Sequence, residues 1–450
     1  MSKKTNVREM AADALLMIEK NQAYSNLLLN SFIQKHSLAE KDVPLFTELV
    51  YGTLQRKDTL DFYLAPFIKK ANKMELWVRI LLRLSVYQMV YLDRVPERAA
   101  VHEAVEIAKR KGHQGIASLV NGILRSIQRE GLPSFEDIQD PVQRTAVATS
   151  HPLWLVEKWT KQYGLEEAGK MCEENLKAPR QTARINKTKY SVNEAIELLQ
   201  KEGFSARRGS LSPDSIMMEK GSLASSTLFK DGGATIQDES SSLTAKVLGV
   251  QEGESVLDAC AAPGGKSSHI LELLNHKGQL MSLDLHQHKV ELVKEQANRL
   301  GFENLTVQDL DARKAGEVFN EESFDRILVD APCSGFGVIK RKPDIKYAKS
   351  ARDIQKLAAI QLEILHSVSP LLKKGGTLVY STCTVDQEEN HAVAQQFLQD
   401  HPDYEWDETM TGRLPEEARQ YAEASELQLL PHYFGTDGFY ITSFKRKVSF

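Results

Sequence analysis

The stretch from Ser255 to Lys266, SVLDACAAPGGK, limits the possible folds of this chain more than any other. Val256 and Leu257 have the character of a buried parallel strand, and 258–265 predict the turn that leaves its carboxyl end. A helix is predicted over 267–274. Small residues in such a turn let a ligand approach the backbone closely, with the helix N-terminus facing it. A purely structural strand-to-helix turn would have the same pattern. The residues that follow the neighbouring strands are therefore needed to distinguish a ligand-binding turn from a structural one.

Four further short strands are predicted, and each of them ends on acids or thiols. They are Gln279–Leu283 before Asp284, 305–307 before Asp309 and Asp311, Phe324–Asp330 before Cys333, and Thr377–Tyr380 before Cys383. The first acid lies at the spacing where nucleotide-binding α/β folds place a ribose-binding carboxylate. Because ligands of open parallel sheets lie outside the carboxyl ends of the strands, we expect these acids and thiols to share one cleft.

Three motifs, taken in order, resemble a known family. They are CAAPGGK at 260–266, DAPCSG at 330–335 and STCT at 381–384. Together they resemble the S-adenosylmethionine-dependent RNA cytosine-5 methyltransferases, and the whole chain resembles the RsmB (Sun) enzymes that modify 16S ribosomal RNA. The resemblance implies an α/β Rossmann-like methyltransferase domain, with a mostly parallel sheet and a C-terminal antiparallel hairpin. It also implies a preceding all-α NusB-like domain and a small α+β domain.

The resemblance implies a binding site for S-adenosyl-L-methionine. Its expected residues are Cys260, Ala261, Ala262, Pro263, Gly264, Gly265, Lys266, Asp284, Asp311 and Asp330. Asp284 is expected on the ribose and Asp311 near the adenine amino group. Asp311 is preferred to Asp309 because Asp-Ala-Arg matches the family's Asp-Gly-Arg, although alanine in place of glycine leaves the geometry of that turn open.

Carbon 5 of cytosine is a poor nucleophile, so its methylation needs a thiolate that adds at carbon 6. In the RNA family the later Thr-Cys thiol attacks and the Pro-Cys thiol assists release, which assigns attack to Cys383 and release to Cys333. The DNA enzymes use the Pro-Cys thiol instead, and either cysteine alone could be a small core residue. Asp330 could hydrogen-bond the cytosine ring during attack. Lys266 could contact the base or steady that carboxylate.

The 450 residues predict two or three domains. We expect an all-α NusB-like RNA-binding domain at 1–135, a small α+β domain that guides RNA at 141–232, and the methyltransferase domain at 233–450. Residues 1–130 have long helical periodicity and carry twenty Lys and Arg against fourteen Asp and Glu. PLFTELVYGTLQRKDTLD and RAAVHEAVEIAK carry the resemblance to NusB. A helical bundle without an RNA role remains an alternative.

Two local basic stretches are further candidates for RNA contact. Residues 177–208, which include Arg184, hold eight basic residues against three acidic ones. The run Lys340–Asp344, KRKPD, follows the DAPCSG motif and could hold RNA backbone. A solvated loop would have the same composition. Beyond the fifth strand, 385–398 predict a helix, and the end of the chain predicts two β segments joined by the GTDG turn at 435–438.

Several function classes are disfavoured. No apolar run approaches the roughly 18 residues of a membrane span, and Glu9 and Asp13 lie where a signal peptide would be apolar. The four cysteines are far apart without a CxxC pair, which argues against a disulfide framework and a zinc site and favours the cytoplasm. His286 and His288 lack further ligands, so no metal is expected. We expect a monomer.

The sequence therefore predicts an S-adenosylmethionine-dependent methyltransferase acting on one cytosine of 16S ribosomal RNA in a free or early-assembly small subunit. The base would be flipped or already single-stranded. A transfer-RNA cytosine-5 methyltransferase is the first alternative, and a non-catalytic NusB-like RNA-binding factor is the second. A dinucleotide oxidoreductase is disfavoured because the turn is AAPGGK, without GxGxxG.

Overall fold

The fold is that of a computed structural model, which describes residues 6–21, 25–69 and 73–449. By spatial contact the chain forms two compact units. The first contains residues 1–177 and a returning segment, 339–348, and the second contains residues 178–338 and 349–450. The return of 339–348 to the first unit has no counterpart in the sequence prediction. The three proposed domain ranges remain predictions.

The first unit is helical through residue 177, as predicted. Its helices are α1 (Val7–Asn21), α2 (Ser25–Lys35), α3 (Val43–Gln55), α4 (Lys57–Leu64), α5 (Leu76–Tyr91), α6 (Glu97–Lys111), α7 (Gln114–Glu130), α8 (Pro141–Ala148), α9 (Leu153–Tyr163) and α10 (Leu165–Asn175). The sequence of α5, LWVRILLRLSVYQMVY, is apolar nearly all round, and a helix of this kind is stable only when it is surrounded. It packs against α1, α3, α4, α6 and α7.

The second unit begins with a small antiparallel sheet. Its strands are β1 (Thr182–Ile185), β2 (Ser205–Arg208), β3 (Ser215–Lys220) and β4 (Ala234–Ile236), in the order β2-β3-β1-β4. Helix α11 (Val192–Lys201) begins at a capping box in which Ser191 and Glu194 satisfy each other's backbone N–H groups. Helix α12 (Thr227–Lys230) follows β3. This is the predicted small α+β arrangement.

The main sheet of the second unit contains nine strands within the described residues. They are β5 (Ser255–Asp258), β6 (Gln279–Asp284), β7 (Leu305–Asp309), β8 (Phe324–Asp330), β9 (Leu372–Thr382), β10 (Tyr404–Trp406), β11 (Ala422–Glu423), β12 (Glu426–Leu429) and β13 (Phe439–Arg446). The order is β11-β12-β13-β9-β8-β5-β6-β7, and β10 pairs with β13. Strands β5 to β9 are parallel to one another, whereas β13 is antiparallel to β9. The predicted mixed, mostly parallel sheet is confirmed.

The remaining helices connect and cover these strands. They are α13 (Glu239–Leu248), α14 (Gly265–Leu274), α15 (Gln287–Leu300), α16 (Ala315–Val318), α17 (Ile345–Ala348, in the returning segment), α18 (Ala351–Val368), α19 (His391–Asp400), α20 (Glu416–Arg419) and α21 (Pro431–Phe434). Chain order reverses at β5, which has β6 on one side and β8 on the other, so ligand binding is expected at the carboxyl ends there. None of the helices in the described ranges is both long and apolar enough to cross a membrane.

Two local predictions differ from the structure. The predicted helix over 385–398 begins only at His391, because the preceding residues form a turn in which Glu389 and Asn390 are buried. Between β12 and β13 the connection contains the short helix α21 as well as the predicted turn.

The returning segment 339–348 is embedded in the first unit. Lys340 Nζ pairs with Glu174 Oε1 at 3.1 Å, Lys346 Nζ donates to the Gln55 carbonyl oxygen at 2.8 Å, and Asp344 accepts from the Ser25 hydroxyl. Burial lowers the pKa of Lys346 to about 7. The prediction that this basic run holds RNA is therefore wrong for Lys340, which is only 5% exposed.

Arg184 is a second basic residue that the sequence placed wrongly. Its side chain lies on β1 and is fully buried, where it pairs with Glu272 of α14 through bonds of 2.8 and 3.2 Å. It also donates to the Gly265 carbonyl oxygen and to the Ser268 hydroxyl, both at 3.0 Å. Arg184 is therefore a buried clamp between β1 and the start of α14, and it cannot contact RNA there.

This clamp predicts a large stability loss when its acid is removed. Glu272→Ala leaves the guanidinium of Arg184 buried without its counter-ion, which should lower the free energy of unfolding by about 3–5 kcal/mol. The matched control is Glu252→Ala, which breaks the exposed pair of Glu252 with Lys277 and should change stability little. Urea unfolding of both variants makes the measurement. Equal, small losses in the two variants would contradict the burial argument.

Candidate active site

Parallel pairing brings the predicted acids and thiols to one edge of the sheet. Asp258 and Asp330 end β5 and β8, which pair directly, and Asp284 ends β6 on the other side of β5. Asp330 pairs in register with Ser381 of β9. The residues that follow these strands therefore start from neighbouring points.

The two cysteines of the later motifs are in contact. Cys333 Sγ lies 3.4 Å from Cys383 Sγ, and both side chains are half-buried. The contact lowers the pKa of Cys383, and the same contact together with burial raises the pKa of Cys333. Lys266 also lowers the pKa of Cys383. The close contact favours one thiolate beside one neutral thiol, and the directions of the two pKa shifts favour Cys383 as the thiolate.

Close backbone packing fixes the loops that carry these thiols. Gly337 N–H donates to the Cys383 carbonyl oxygen at 3.0 Å, and Gly438 N–H donates to the Gly337 carbonyl oxygen at 2.8 Å. A Cβ on Gly337 would lie 2.7 Å from the Cys383 carbonyl oxygen and closer still to that of Gly438. Glycine is required at 337 by this approach. The predicted turn at 435–438 therefore reaches the site, which its sequence alone did not indicate.

Asp330 is held by two side chains. Lys266 Nζ donates to Oδ2 and the Ser381 hydroxyl donates to Oδ1, both at 2.7 Å. Lys266 also lies over the ring of Phe439, with Nζ 5.0 Å from the ring centroid. Of the two roles left open for Lys266, the contact present is the one with the carboxylate. Ser381 was not predicted, although it opens the STCT motif.

The turn at 260–266 follows β5 and leads into α14. Asp284 Oδ2 accepts the Ala262 N–H at 3.3 Å, and Oδ1 accepts that of His286 at 3.3 Å. Gly264 has φ +100°, and a Cβ there would lie 3.1 Å from Val293 Cα, so the turn requires glycine.

Asp311 lies at the next strand end. Its carboxylate accepts the backbone N–H of Arg313 and pairs with the guanidinium, and this partner holds the pKa of Asp311 below its usual range. Asp309 is exposed and pairs in register with Asp284. These observations describe the surroundings of both acids without distinguishing their roles at an adenine.

Asp258 is fully buried beside this turn, and Cys260 is half-buried. Burial and the neighbouring carboxylates raise the pKa of Cys260 well above that of a free thiol, so it is a poor nucleophile. Burial also raises the pKa of Asp258 to about 7, although its Oδ2 accepts the Ser267 hydroxyl at 2.6 Å. Asp258 was not predicted as a site residue. The sequence feature that could have identified Asp258 is its position as an acid at the end of an apolar strand.

The donors and acceptors of this edge fit S-adenosyl-L-methionine. Asp284 provides a largely buried carboxylate at the turn, which is suited to ribose hydroxyls.

The histidines near this edge raise the question of a metal site. In the part of the chain that the structure describes, no group of three or more His, Cys, Asp or Glu could hold a metal ion. His286 and His288 stack on each other with ring centroids 5.5 Å apart.

Family models match three parts of the chain. Residues 5–129 match the NusB family, 151–223 match the ferredoxin-like domain of RsmF/B-like methyltransferases, and 245–445 match the 16S rRNA methyltransferase RsmB/F. The methyl donor of such an enzyme is S-adenosyl-L-methionine, in agreement with the chemistry of the turn.

Similar proteins agree with these matches over the full chain. The chain is 56% identical over 445 residues to a probable ribosomal RNA small subunit methyltransferase B of Bacillus subtilis, covering 99% of this chain and 100% of that one. A methyltransferase homologue from Pyrococcus horikoshii has 28% identity and a TM-score of 0.58, over 69% of this chain and 100% of that one. The solved protein PH0851 shares the fold, with 24% identity and a TM-score of 0.80 over 99% and 100% of the two chains. The predicted resemblance is confirmed: the chain belongs to the RsmB/F family of 16S rRNA methyltransferases.

Proposed function

We propose that this protein methylates carbon 5 of a specific cytosine in 16S ribosomal RNA through a covalent cysteine adduct. The observation that carries the proposal is the pair of thiols, Cys333 and Cys383, in contact 3.4 Å apart at the same sheet edge as Asp330. A methyltransferase acting on a more reactive atom needs no thiol pair. A cytosine carbon needs one thiolate to activate it and a second group to assist the reverse step.

Attack belongs to Cys383, whose pKa is the lowered one of the pair. Its thiolate forms a bond to carbon 6, and the electron pair of the C5–C6 double bond becomes available at carbon 5. When bound, S-adenosyl-L-methionine would supply the electrophilic methyl group that carbon 5 takes, and the electrons of the broken sulfur–methyl bond would stay on the cofactor sulfur. Asp330, fixed by Lys266 and Ser381, is suited to hydrogen-bond the ring nitrogen and amino group as charge shifts during attack.

Release requires the reverse electron flow. The proton on carbon 5 leaves to a base, its electron pair restores the C5–C6 double bond, and the bond from carbon 6 to Cys383 breaks with the electrons returning to sulfur. Cys333 lies against that sulfur and retains its proton, since its pKa is raised. We assign it to release, either by itself as a hydrogen-bond donor to the departing Cys383 sulfur or by ordering a water that takes the proton from carbon 5.

The remaining parts of the chain are assigned to RNA and cofactor. The NusB-like residues and the small sheet domain would position the RNA, and the target base would be flipped or single-stranded. Asp284 would hold the cofactor ribose and Asp311 the adenine amino group. A cytoplasmic location and a monomeric state complete the proposal, because ribosomal RNA is the substrate and no second copy is needed to build the site. A transfer-RNA substrate is the alternative that the experiment below separates.

Asp284→Ala should weaken cofactor binding by roughly 10- to 100-fold, because a ribose hydroxyl would lose a charged hydrogen-bond partner. Titration calorimetry with S-adenosyl-L-methionine measures the affinity, and thermal unfolding verifies that the variant is folded. Glu252→Ala, which removes an exposed acid before the amino end of β5, is the control and should bind normally. Unchanged affinity in folded Asp284→Ala would contradict the assignment.

Substitution of the two cysteines should have opposite effects on the covalent protein-RNA adduct. Cys383→Ala should abolish both methylation and any covalent protein-RNA adduct, because no sulfur remains to attack carbon 6. Cys333→Ala should permit attack and methyl transfer but stall release, so an adduct should survive denaturing gel electrophoresis. Cys172→Ala, in the core of the first unit, is the control and should give no adduct. Adducts in Cys383→Ala and none in Cys333→Ala would move the nucleophile to Cys333.

The substrate is tested by bisulfite sequencing of total RNA from cells with and without the gene. Loss of one methylcytosine in 16S ribosomal RNA is the expected result. If a transfer RNA loses the mark instead, the enzyme is a transfer-RNA methyltransferase. If no methylcytosine changes, cytosine-5 chemistry is excluded and the chain acts on another atom or only binds RNA.

A further inference from the structure

Glu389 is a buried acid that the chemistry above does not use. It lies in the turn before α19, and its side chain is inaccessible to solvent. Among the described residues it forms no ion pair, and burial raises its pKa to about 7. A buried carboxyl group without a cation is costly unless hydrogen bonds satisfy it, so its position calls for a specific explanation.

Both carboxyl oxygens of Glu389 hold the residue that follows Cys333. Oε1 accepts the Ser334 N–H at 2.8 Å, and Oε2 accepts the Ser334 hydroxyl at 2.5 Å. Gln361 Nε2 donates to Oε1 at 3.1 Å and to the Pro332 carbonyl oxygen at 2.9 Å. The residues on both sides of Cys333 are therefore fixed by Glu389 and its partner Gln361.

Through Ser334, Glu389 is also linked to the turn that carries Cys383. The Ser334 hydroxyl is 2.8 Å from the Thr384 hydroxyl, and Thr384 directly follows Cys383. The Tyr380 hydroxyl, from β9, contacts the Glu389 carbonyl oxygen at 2.5 Å. The Ser334 hydroxyl therefore connects Glu389 to Thr384, the residue after Cys383.

Within the described residues, the side-chain bonds of Glu389 go to Ser334 and Gln361 and not to either sulfur. This placement suits a group that sets geometry better than one that exchanges protons with a thiol. A displacement of about 1 Å at a reacting group is enough to slow a step severely.

We propose that Glu389 is a positioning residue for the release step, holding the 332–334 turn so that the thiol of Cys333 faces Cys383. The inference rests on the proposed covalent mechanism, since it names the support of one of its two thiols. The Glu389 side chain acts in this role through its hydrogen bonds to Ser334, and a negative charge on it is not required.

Four variants test this role by single-turnover kinetics, in which formation and decay of the covalent adduct are followed on denaturing gels. Glu389→Ala should slow adduct decay about tenfold or more, because two buried bonds to Ser334 are lost. Adduct formation and cofactor affinity should stay within about twofold of the native enzyme. Glu389→Gln should release at close to the native rate, because its amide can accept from Ser334 N–H and donate to the Ser334 hydroxyl. Ser334→Ala, which removes only the hydroxyl, should slow release less than Glu389→Ala, and exposed Glu388→Gln is the matched control.

The double variant Cys333→Ala/Glu389→Ala should release no more slowly than Cys333→Ala alone, because both changes act on the same thiol. If Glu389→Ala does not fold, the adduct decay rates of Ser334→Ala and Glu389→Gln test the inference in its place. The inference alone is overturned if Cys333→Ala retains adduct while Glu389→Ala and Ser334→Ala release normally. It is equally overturned if Glu389→Gln is as slow as Glu389→Ala, or if adduct formation and cofactor affinity fall together with release. If Cys333→Ala forms no adduct at all, the proposed covalent mechanism fails first.

Discussion

The pairing of β8 with β9 is the constraint on which the site depends. Asp330 and Ser381 are register partners at the ends of these parallel strands, and Cys333 and Cys383 follow these two residues by three and two positions. Parallel pairing is possible only through a crossover, and here the crossover contains the returning segment and α18. Two motifs fifty residues apart in sequence are thereby brought to neighbouring strand ends.

Burial then differentiates groups that are chemically alike. Three cysteines lie near the strand ends, yet of these three only Cys383 has a lowered pKa, because its contact with Cys333 and the charge of Lys266 both lower it. The acids differ in the same way. Asp330 has a cation and a hydroxyl as partners, whereas Asp258 and Glu389 are buried without a cation partner among the described residues and have pKa values raised to about 7. The surroundings of each group, more than its identity, set what it can do.

A basic residue of this chain can either contact RNA or pair with a buried acid, and composition does not distinguish these two roles. Arg184 and Lys340 belong to basic stretches that look suited to RNA, yet each is buried against a glutamate within its own unit. A basic residue satisfies a buried acid as readily as a phosphate, and only the fold shows which partner is present. The segment 339–348 illustrates the same point, because Lys346 donates to a backbone carbonyl and Lys340 pairs with an acid of the first unit.

The sequence alone determined the family, the succession of the five parallel strands along the chain and the motif residues, because strands and their turns are local patterns of apolar and small residues. It placed the end of β8 at Asp330 and predicted that the acids and thiols would share an edge. It could not determine the contact between the thiols, the hold of Ser381 on Asp330, or the turn that buries Glu389 where a helix was predicted. Those features depend on side chains distant in sequence, whose hydrogen bonds override local helical preference once burial removes water as a competitor. Local pattern therefore fixed which residues reach the strand ends, and tertiary packing decided which of them touch.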